Sequence, residues 1–299
     1  MIPAKGGFFM DLCDISQIRS LLGRYGFRFS HSKGQNFLKE RWVVEDIARL
    51  AGVNETTGVL EIGPGIGPLT EQLCLRAGKV AAVEVDRSLQ PILAETLGSY
   101  GNLELIWGDV MKMDIRALCS SRFEGLTPIA CANLPYYITT PVLTALLEAD
   151  CFESVTVMVQ KEVAQRICAA AGTPDYGSFP AFCAYYADAE MLFEVPASCF
   201  VPAPKVTSAV LTLRRRGAPP AAVEDPALYF RTVRAAFGQR RKTLLNALSS
   251  GFQELGKPAL ENCIRRCGFD PAIRGEMLRP EDFCLLSCAI AEEKRQPHV

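Results

Sequence analysis

The sequence predicts an α/β fold, in which a parallel, doubly wound sheet is followed by a small all-helical domain. Short β-rich runs alternate with helical apolar spacing, beginning with a strand at residues 59–62 and a helix at residues 69–77. A glycine-rich turn at residues 63–67 joins the two. Beyond a proline-rich linker at residues 217–226, only helical patterns follow. Open sheets of this class bind ligands at the carboxyl ends of their strands.

The predicted elements alternate regularly as far as Gly172. Helical spacing at residues 41–51 precedes the first strand, and further strands are expected at 80–85, 103–107, 129–132 and 155–159. The accompanying helices are expected at 89–97, 141–148 and 161–170. The pattern then changes, and strands with antiparallel connections are expected at 181–187, 189–195 and 207–213. The last helices are expected at 227–237, 241–248, 259–267 and 281–290.

Composition excludes several classes of protein. The 299 residues are 49% hydrophobic, enough for a large core and a smaller appended domain, and the formal net charge of −1 means that any surface for nucleic acid must be local. No apolar stretch is long enough to cross a bilayer, and residues 1–10 lack a signal-peptide pattern. We therefore expect a cytoplasmic protein without a membrane partner, in which residues 1–9 are a dispensable extension.

The twelve cysteines are scattered through apolar runs, which favours small buried side chains in a reducing compartment over a disulfide framework. Cys263 and Cys267, like Cys284 and Cys288, are spaced so that each pair lies on one helical face. The chain has two histidines and no C-x-x-C motif, a poor ligand set for zinc. We interpret both pairs as packing residues and expect no metal.

Acidic residues at successive strand ends predict a cofactor pocket. Glu84 closes the second strand of the sheet, where a carboxylate can accept both hydroxyls of a ribose, and Asp109 follows the third, where it can accept an adenine amino group. Glu61 stands two residues before the first glycine of the turn, whose spacing is G-x-G-x-G. A carboxylate there would repel a dinucleotide pyrophosphate but suits a sulfonium and an α-ammonium. The pocket therefore indicates S-adenosylmethionine rather than a dinucleotide.

Asn133, Leu134, Pro135 and Tyr136 supply what methylation of an amino group on a base requires. The N6 lone pair of adenine is delocalised into the ring, so a site must accept hydrogen bonds from both N6 protons to make it available. The Asn133 side-chain oxygen can accept one proton and the Leu134 carbonyl the other. Pro135 removes a competing backbone donor, and Tyr136 offers a flat face on which an extruded base can stack.

These motifs, in this order, resemble those of the ribosomal RNA adenine dimethyltransferases. The resemblance extends from about residue 31 to residue 283 and rests on separated motifs at residues 34–38, 61–70, 84–87, 133–139, 159–163, 175–177, 200–208 and 237–244. It implies a Rossmann-like S-adenosylmethionine-dependent methyltransferase fold with a C-terminal helical domain. The cofactor-binding residues that it implies are Asn36, Leu38, Gly63, Glu84, Asp109 and Asn133.

The resemblance also implies a domain organisation. We expect an N-terminal extension and helix at residues 1–30, a methyltransferase domain at 31–216, a linker at 217–226 and a helical domain at 227–299. Within the family, the full-length helical domain and residues 133–137 favour the bacterial branch that acts on the small ribosomal subunit.

Resemblance to that branch implies that the enzyme converts two adjacent adenosines, in the hairpin near the 3′ end of 16S rRNA, to N6,N6-dimethyladenosine. The expected partner is 16S rRNA within an immature 30S subunit, and the enzyme is expected to act as a monomer. Two alternatives stay open at this point: a 23S rRNA adenine N6-methyltransferase of the macrolide-resistance type, and a mainly non-catalytic 30S assembly factor. A small-molecule methyltransferase is disfavoured, because the helical tail would then have no purpose.

Further residues are candidates for contact with the RNA. We hypothesise that the flipped adenine is held between the rings of Phe200 and Tyr136. Local basic clusters at residues 214–216 and at Arg240, Arg241 and Lys242 offer phosphate contacts, with the latter three preferred.

Overall fold

The computed structural model describes residues 10–27 and 36–295. The chain divides into two compact units. Unit 1 comprises the described residues up to Ala164 together with Glu190–Arg214, and unit 2 comprises Gln165–Ala189 with the described residues from Arg215 onward. The boundary expected at 217–226 does not capture this division, because residues 165–189 group with the C-terminal helices. The predicted extension at residues 1–9 lies outside the described residues.

Strands form the centre of unit 1. In the part of the chain that the structure describes, the strands are β1 (Phe37–Leu38), β2 (Thr57–Ile62), β3 (Lys79–Glu84), β4 (Leu103–Trp107), β5 (Thr127–Asn133), β6 (Ser154–Gln160), β7 (Ala187–Val195), β8 (Phe200–Val201) and β9 (Ser208–Arg215). Seven of them form one sheet in the order β4-β3-β2-β5-β6-β9-β7, and β1 and β8 form a two-stranded ribbon. The first five strands of that order are parallel, whereas β9 is antiparallel to β6.

Helices connect the strands and fill unit 2. Over the same described residues, the helices are α1 (Ile15–Arg24), α2 (Arg41–Leu50), α3 (Pro68–Cys74), α4 (Gln90–Leu97), α5 (Ile115–Arg122), α6 (Thr139–Glu148), α7 (Lys161–Ile167), α8 (Ser178–Tyr186), α9 (Pro226–Gly238), α10 (Leu244–Gly251), α11 (Lys257–Arg266) and α12 (Pro280–Arg295). Together with the sheet, they confirm the predicted α/β class with a C-terminal helical region.

The parallel strands are buried because helices cover the sheet. All six residues of β2 are buried, as expected for a central parallel strand. Val44 and Ile47 of α2 share a core cluster with Val59 of β2. The strand order reverses beside β2, whose neighbours are β3 on one side and β5 on the other. Such a reversal opens a crevice at the carboxyl ends of the strands, where this class of sheet binds ligands.

The predicted strand at residues 181–187 is wrong, since this segment lies mostly in α8. Its run of alanine, cysteine and aromatic residues is apolar on nearly every side, so periodicity does not separate a strand from a helix. Packing within unit 2 decides the matter, because the rings of Tyr185 and Tyr229 lie 4.7 Å apart between centroids. The sequence prediction also missed α5, whose first turn is capped by Asp114 through a 2.9 Å hydrogen bond from the Ala117 N–H.

The core of unit 2 is built from α8 to α12. Its fully buried side chains include Tyr229, Phe252 and Phe283. Cys263 and Cys284 are buried in the same cluster, as expected of packing residues. All twelve cysteines are free thiols. Among the described residues, no helix has both the length and the apolar character that a membrane span needs.

We expect Tyr229→Phe to lower the free energy of unfolding by about 1–2 kcal/mol, because a buried hydrogen bond is lost. The Tyr229 hydroxyl donates to the Ala181 carbonyl at 3.0 Å and joins α9 to α8. Urea denaturation followed by circular dichroism measures the change. Tyr25→Phe is the control, because the Tyr25 hydroxyl donates to Glu95 at the surface and its loss should cost less than about 0.5 kcal/mol. Equal losses in the two variants would contradict the role assigned to Tyr229.

Candidate active site

Unit 1 contains a cavity of about 340 Å³ at the carboxyl ends of the parallel strands. Its walls come from the ends of β2, β3 and β5, from the turn after β4, and from the β1–β8 ribbon. It lies where the strand order reverses, in agreement with the expectation for this class of sheet.

The turn after β2 brings the main chain to the cavity wall. Gly63, Gly65 and Gly67 all have positive φ, at 71°, 61° and 100°, a region that side chains with a Cβ rarely adopt. A Cβ on Gly65 would also lie 3.1 Å from the Phe37 ring. The Gly63 N–H donates to the Val83 carbonyl at 2.9 Å and ties the turn to β3. Backbone conformation therefore favours glycine at all three positions, and space also favours it at Gly65 and at Gly67, where a Cβ would lie 2.9 Å from Leu97.

Glu84 closes β3 and faces this turn. Its carboxylate accepts hydrogen bonds from the Asp86 N–H at 2.8 Å and from the Gly65 N–H at 3.4 Å. The side chain is buried, and burial raises the pKa of Glu84 above its ordinary value. A carboxylate held between two backbone loops can accept the two adjacent hydroxyls of a ribose, as the sequence predicts.

Glu61 lies at the floor of the cavity and is 1% exposed. Burial raises the pKa of Glu61 to about 8; the Thr70 hydroxyl lowers it in part, and the Glu84 carboxylate raises it further. Glu61 Oε2 has no hydrogen-bond partner among the residues that the structure describes. A buried carboxyl oxygen without a partner is complementary to a cationic or hydrogen-bond-donating ligand. The site thus fits a cofactor that carries a sulfonium and an α-ammonium group.

Asn133 ends β5 and lies beside Met158 of β6 in the parallel register. Its side-chain amide forms no hydrogen bond with another described residue and borders the cavity. The Leu134 N–H donates to the Met158 carbonyl at 3.2 Å, whereas no donor in the described ranges uses the Leu134 carbonyl. Pro135 follows with φ −56°, and its carbonyl accepts the Ile138 N–H at 3.1 Å. Two hydrogen-bond acceptors of this motif are therefore left uncommitted.

The β1–β8 ribbon brings two distant motifs to the cavity. Leu38 pairs with Phe200 in an antiparallel register, and the Lys39 N–H donates to the Cys199 carbonyl at 2.9 Å. Asn36 precedes the ribbon and also borders the cavity. Phe200 is 3% exposed and belongs to the same hydrophobic cluster as Leu38, so only a small part of its ring is accessible.

Most of the predicted site residues line one cavity. The residues that line it include Asn36, Leu38, Gly63, Glu84, Asp109, Asn133, Leu134, Pro135, Tyr136 and Phe200. Asp109 caps the turn after β4, where it accepts the Met111 N–H at 3.0 Å. Sequence reasoning assigned no site role to Val85, Met111 or Tyr137, which are exposed and also line the cavity. Their position in the sequence could have identified them, because each lies within two residues of a predicted site residue.

The predicted phosphate contacts Arg240, Arg241 and Lys242 lie in unit 2 and differ from one another. Arg240 pairs with Glu276 at 2.9 Å and also donates to the Pro174 carbonyl. Arg241 and Lys242 are exposed and have no ion-pair partner within the described chain. Arg241 and Lys242 are therefore more available to a phosphate than Arg240.

Three further arginines also form ion pairs. Arg214 lies 3.9 Å from Glu190 in unit 1, and Arg216 pairs with Asp188 in unit 2. Arg231 forms an ion pair with Glu254 at 2.8 Å.

A family model described as "Ribosomal RNA adenine dimethylase" matches residues 26–287. A protein of Geobacillus sp. (strain WCH70) named "Ribosomal RNA small subunit methyltransferase A" is 45% identical over 284 residues, covering 94% of this chain and 98% of that protein. A protein of Bacillus cereus (strain AH187) with the same name is 44% identical over 289 residues, covering 95% of this chain and 99% of that protein.

Two solved structures share the fold. One is a dimethyladenosine transferase from Plasmodium falciparum, with a TM-score of 0.72, 24% identity and coverage of 86% of this chain and 98% of that chain. The other is the 23S rRNA methyltransferase ErmE, with a TM-score of 0.64, 26% identity and coverage of 86% and 100%. The Rossmann-like methyltransferase fold predicted from the sequence is confirmed.

We expect Glu61→Gln to change how stability depends on pH. The ordinary pKa of the carboxyl is 4.5, and the folded value is about 8. Between pH 4.5 and about pH 8, the carboxyl has lost its proton in the unfolded chain but keeps it in the folded protein. Rising pH therefore favours the unfolded state. The free energy of unfolding of the wild type should therefore fall relative to Glu61→Gln by up to about 1.4 kcal/mol per pH unit, and the difference should level off above the folded pKa.

Urea denaturation of the cofactor-free proteins at about pH 5, 6.5 and 8 measures this difference. Glu55→Gln, at an exposed position, is the control and should follow the wild-type profile. A difference between the wild type and Glu61→Gln that stays constant with pH would contradict the assigned environment of Glu61.

Proposed function

This chain belongs to the ribosomal RNA adenine dimethylase family, and we propose that it dimethylates N6 of two adjacent adenosines in the hairpin near the 3′ end of 16S rRNA. It is a methyltransferase that uses S-adenosylmethionine. The 16S substrate is supported by relatives of 43–45% identity that are named for the small subunit. The proposal includes that the enzyme acts as a monomer in the cytoplasm, on an immature 30S subunit.

One observation carries the proposal: Asn133 and Leu134, which carry two uncommitted acceptors, line the same cavity as the glycine turn. This pair matches the two protons of an exocyclic amino group. An apolar methyl acceptor would form no hydrogen bond with either oxygen.

When bound, S-adenosylmethionine supplies an electrophilic methyl group on a sulfonium. The residues that would hold it are Asn36 and Leu38 of the ribbon, Gly63 of the turn, and Glu84 and Asp109 at the strand ends. Glu61 adds a buried carboxyl oxygen that has no partner among the described residues and can accept a hydrogen bond from the α-ammonium group of the cofactor.

The acceptors activate the nucleophile by geometry. Hydrogen bonds from both N6 protons to Asn133 and Leu134 favour a tetrahedral nitrogen, whose lone pair is then available for attack. As the methyl group is transferred, the amino group gains positive charge, and the two fixed oxygens stabilise it without reorganisation. The excess proton can leave to water afterwards, so the mechanism requires no general base.

Stacking would orient the extruded base. Tyr136 is half-buried and borders the cavity, so its ring is the principal stacking surface, at about 1–3 kcal/mol per contact. Phe200 is the second predicted ring. Because Phe200 is 3% exposed, only a small area of its ring can contact a base.

Methylation of particles tests the function. Protein and methyl-labelled S-adenosylmethionine should label 30S subunits from cells that lack the modification, with two methyl groups on each of two adenosines, and should leave fully methylated 30S unlabelled. Labelling of 50S subunits would favour the 23S alternative. Binding to 30S without labelling would favour a non-catalytic assembly factor.

Asn133→Ala provides the corresponding variant. It should lower kcat on undermethylated 30S by about 10²–10³-fold at saturating cofactor, because one fixed acceptor is lost. Binding to the particle should stay at the wild-type level, since the variant leaves the proposed RNA contacts Arg241 and Lys242 unchanged. Wild-type turnover in this variant would overturn the assigned chemistry.

The RNA contacts lead to a second prediction. Arg241→Ala combined with Lys242→Ala should weaken 30S binding and reduce the slope of log Kd against log salt by about 1–2, because two phosphate contacts are lost. Filter binding between about 50 and 300 mM salt measures the slope.

Two variants are controls for this measurement. Arg240→Ala should mainly lower stability, because Arg240 is held by Glu276 and the Pro174 carbonyl. Lys257→Ala removes an exposed lysine at the start of α11 and should leave the slope unchanged. The same reduction in all variants would mean that net charge, rather than a defined contact, sets the salt dependence.

A further inference from the structure

We infer that Ser208 is a positioning residue for the target base, because it holds the ring of Tyr136 in place. The inference rests on the proposed role of Tyr136 as the stacking surface. The hydroxyl oxygens of Tyr136 and Ser208 lie 2.7 Å apart, a normal hydrogen-bond distance for two hydroxyl groups. The two residues are 72 positions apart in the sequence.

The hydrogen bond is protected from solvent on one side. Ser208 is fully buried at 0% exposure, whereas Tyr136 is half-buried and faces the cavity. Within the described chain, no other group bonds to the phenol. Because water has little access to the serine, losing this partner would leave the phenol without a ready replacement.

The two ends of Tyr136 are held by neighbouring strands. Ser208 is the first residue of β9 and lies opposite Gln160 of β6 in the antiparallel register. β6 also anchors the main chain of the motif, since the Leu134 N–H donates to the Met158 carbonyl at 3.2 Å. The backbone is therefore attached to β6 and the phenol to β9. Fixing both ends restricts rotation about χ1, so the ring is held at the cavity and cannot swing away from it.

A fixed ring matters most for the second methyl transfer. An unmethylated N6 offers two protons to the Asn133 and Leu134 oxygens, which orient the base by themselves. A monomethylated N6 has one proton left, so its orientation depends more on stacking against Tyr136. Loosening the ring should therefore slow the second transfer more than the first, and monomethyladenosine should accumulate.

The experiment compares Ser208→Ala, Tyr136→Phe and the double variant on undermethylated 30S. Each single variant should lower kcat for the second transfer by about three- to tenfold and raise the ratio of monomethyladenosine to dimethyladenosine. The double variant should be no worse than either single one, because all three remove the same hydrogen bond. The dissociation constant for S-adenosylmethionine should stay at the wild-type value.

Thr212→Val is the matched control. Thr212 lies on the same strand, is fully buried, and accepts a hydrogen bond from the Thr156 hydroxyl at 3.1 Å. It does not line the cavity, so its loss should lower the melting temperature as Ser208→Ala does and leave the product ratio unchanged.

Additive effects in the double variant would overturn the inference, and so would the same shift of product ratio in Thr212→Val. Ser208→Ala with wild-type kcat and product ratio would overturn it as well. Tyr136→Ala separates this outcome from failure of the stacking role. If Tyr136→Ala methylates 30S at the wild-type rate, stacking itself fails; if it is inactive while Tyr136→Phe behaves as wild type, only the role of Ser208 fails.

Discussion

The parallel pairing of β2 with β5 is the constraint on which the site depends. In this register Glu61 lies beside Cys131. Two residues further along the chain, Gly63 and Asn133 therefore reach the same edge of the sheet. The glycine turn after β2 and the motif that begins at Asn133 are neighbours because of this register. A shift of one residue would turn alternate side chains to the opposite face of the sheet. A shift of β2 would then turn Glu61 away from the cavity and exchange the two faces of that strand.

Around this pairing, polar groups divide into two kinds. Most are engaged locally, as when Asp114 and Asp225 cap helices by accepting backbone N–H groups. At the cavity, the Asn133 amide and Glu61 Oε2 have no partner in the described part of the chain. Both groups border the cavity and are therefore available to form hydrogen bonds with a ligand that occupies it.

Some basic side chains are paired with carboxylates and others are not. This difference explains how a protein with a formal net charge of −1 can bind an RNA substrate. Arg214, Arg216, Arg231 and Arg240 are paired with carboxylates, so these cations stabilise local structure and contribute little to the surface potential. Arg241 and Lys242 are not neutralised in this way among the described residues. A few free cations can create a local field for phosphate without making the whole molecule basic.

Local patterns in the sequence determined the parallel strands, most helices, the glycine turn and the acceptor motif at Asn133, because period and turn chemistry act over a few residues. They did not determine α8, whose uniformly apolar run suits either a strand or a helix until Tyr229 packs on it. Tertiary structure alone decided that Leu38 pairs with Phe200, that Arg240 is engaged by Glu276, and that Ser208 holds Tyr136. The reason is physical: each of these contacts joins residues far apart in the chain, and only the closing of the sheet and the helical core brings them within bonding distance.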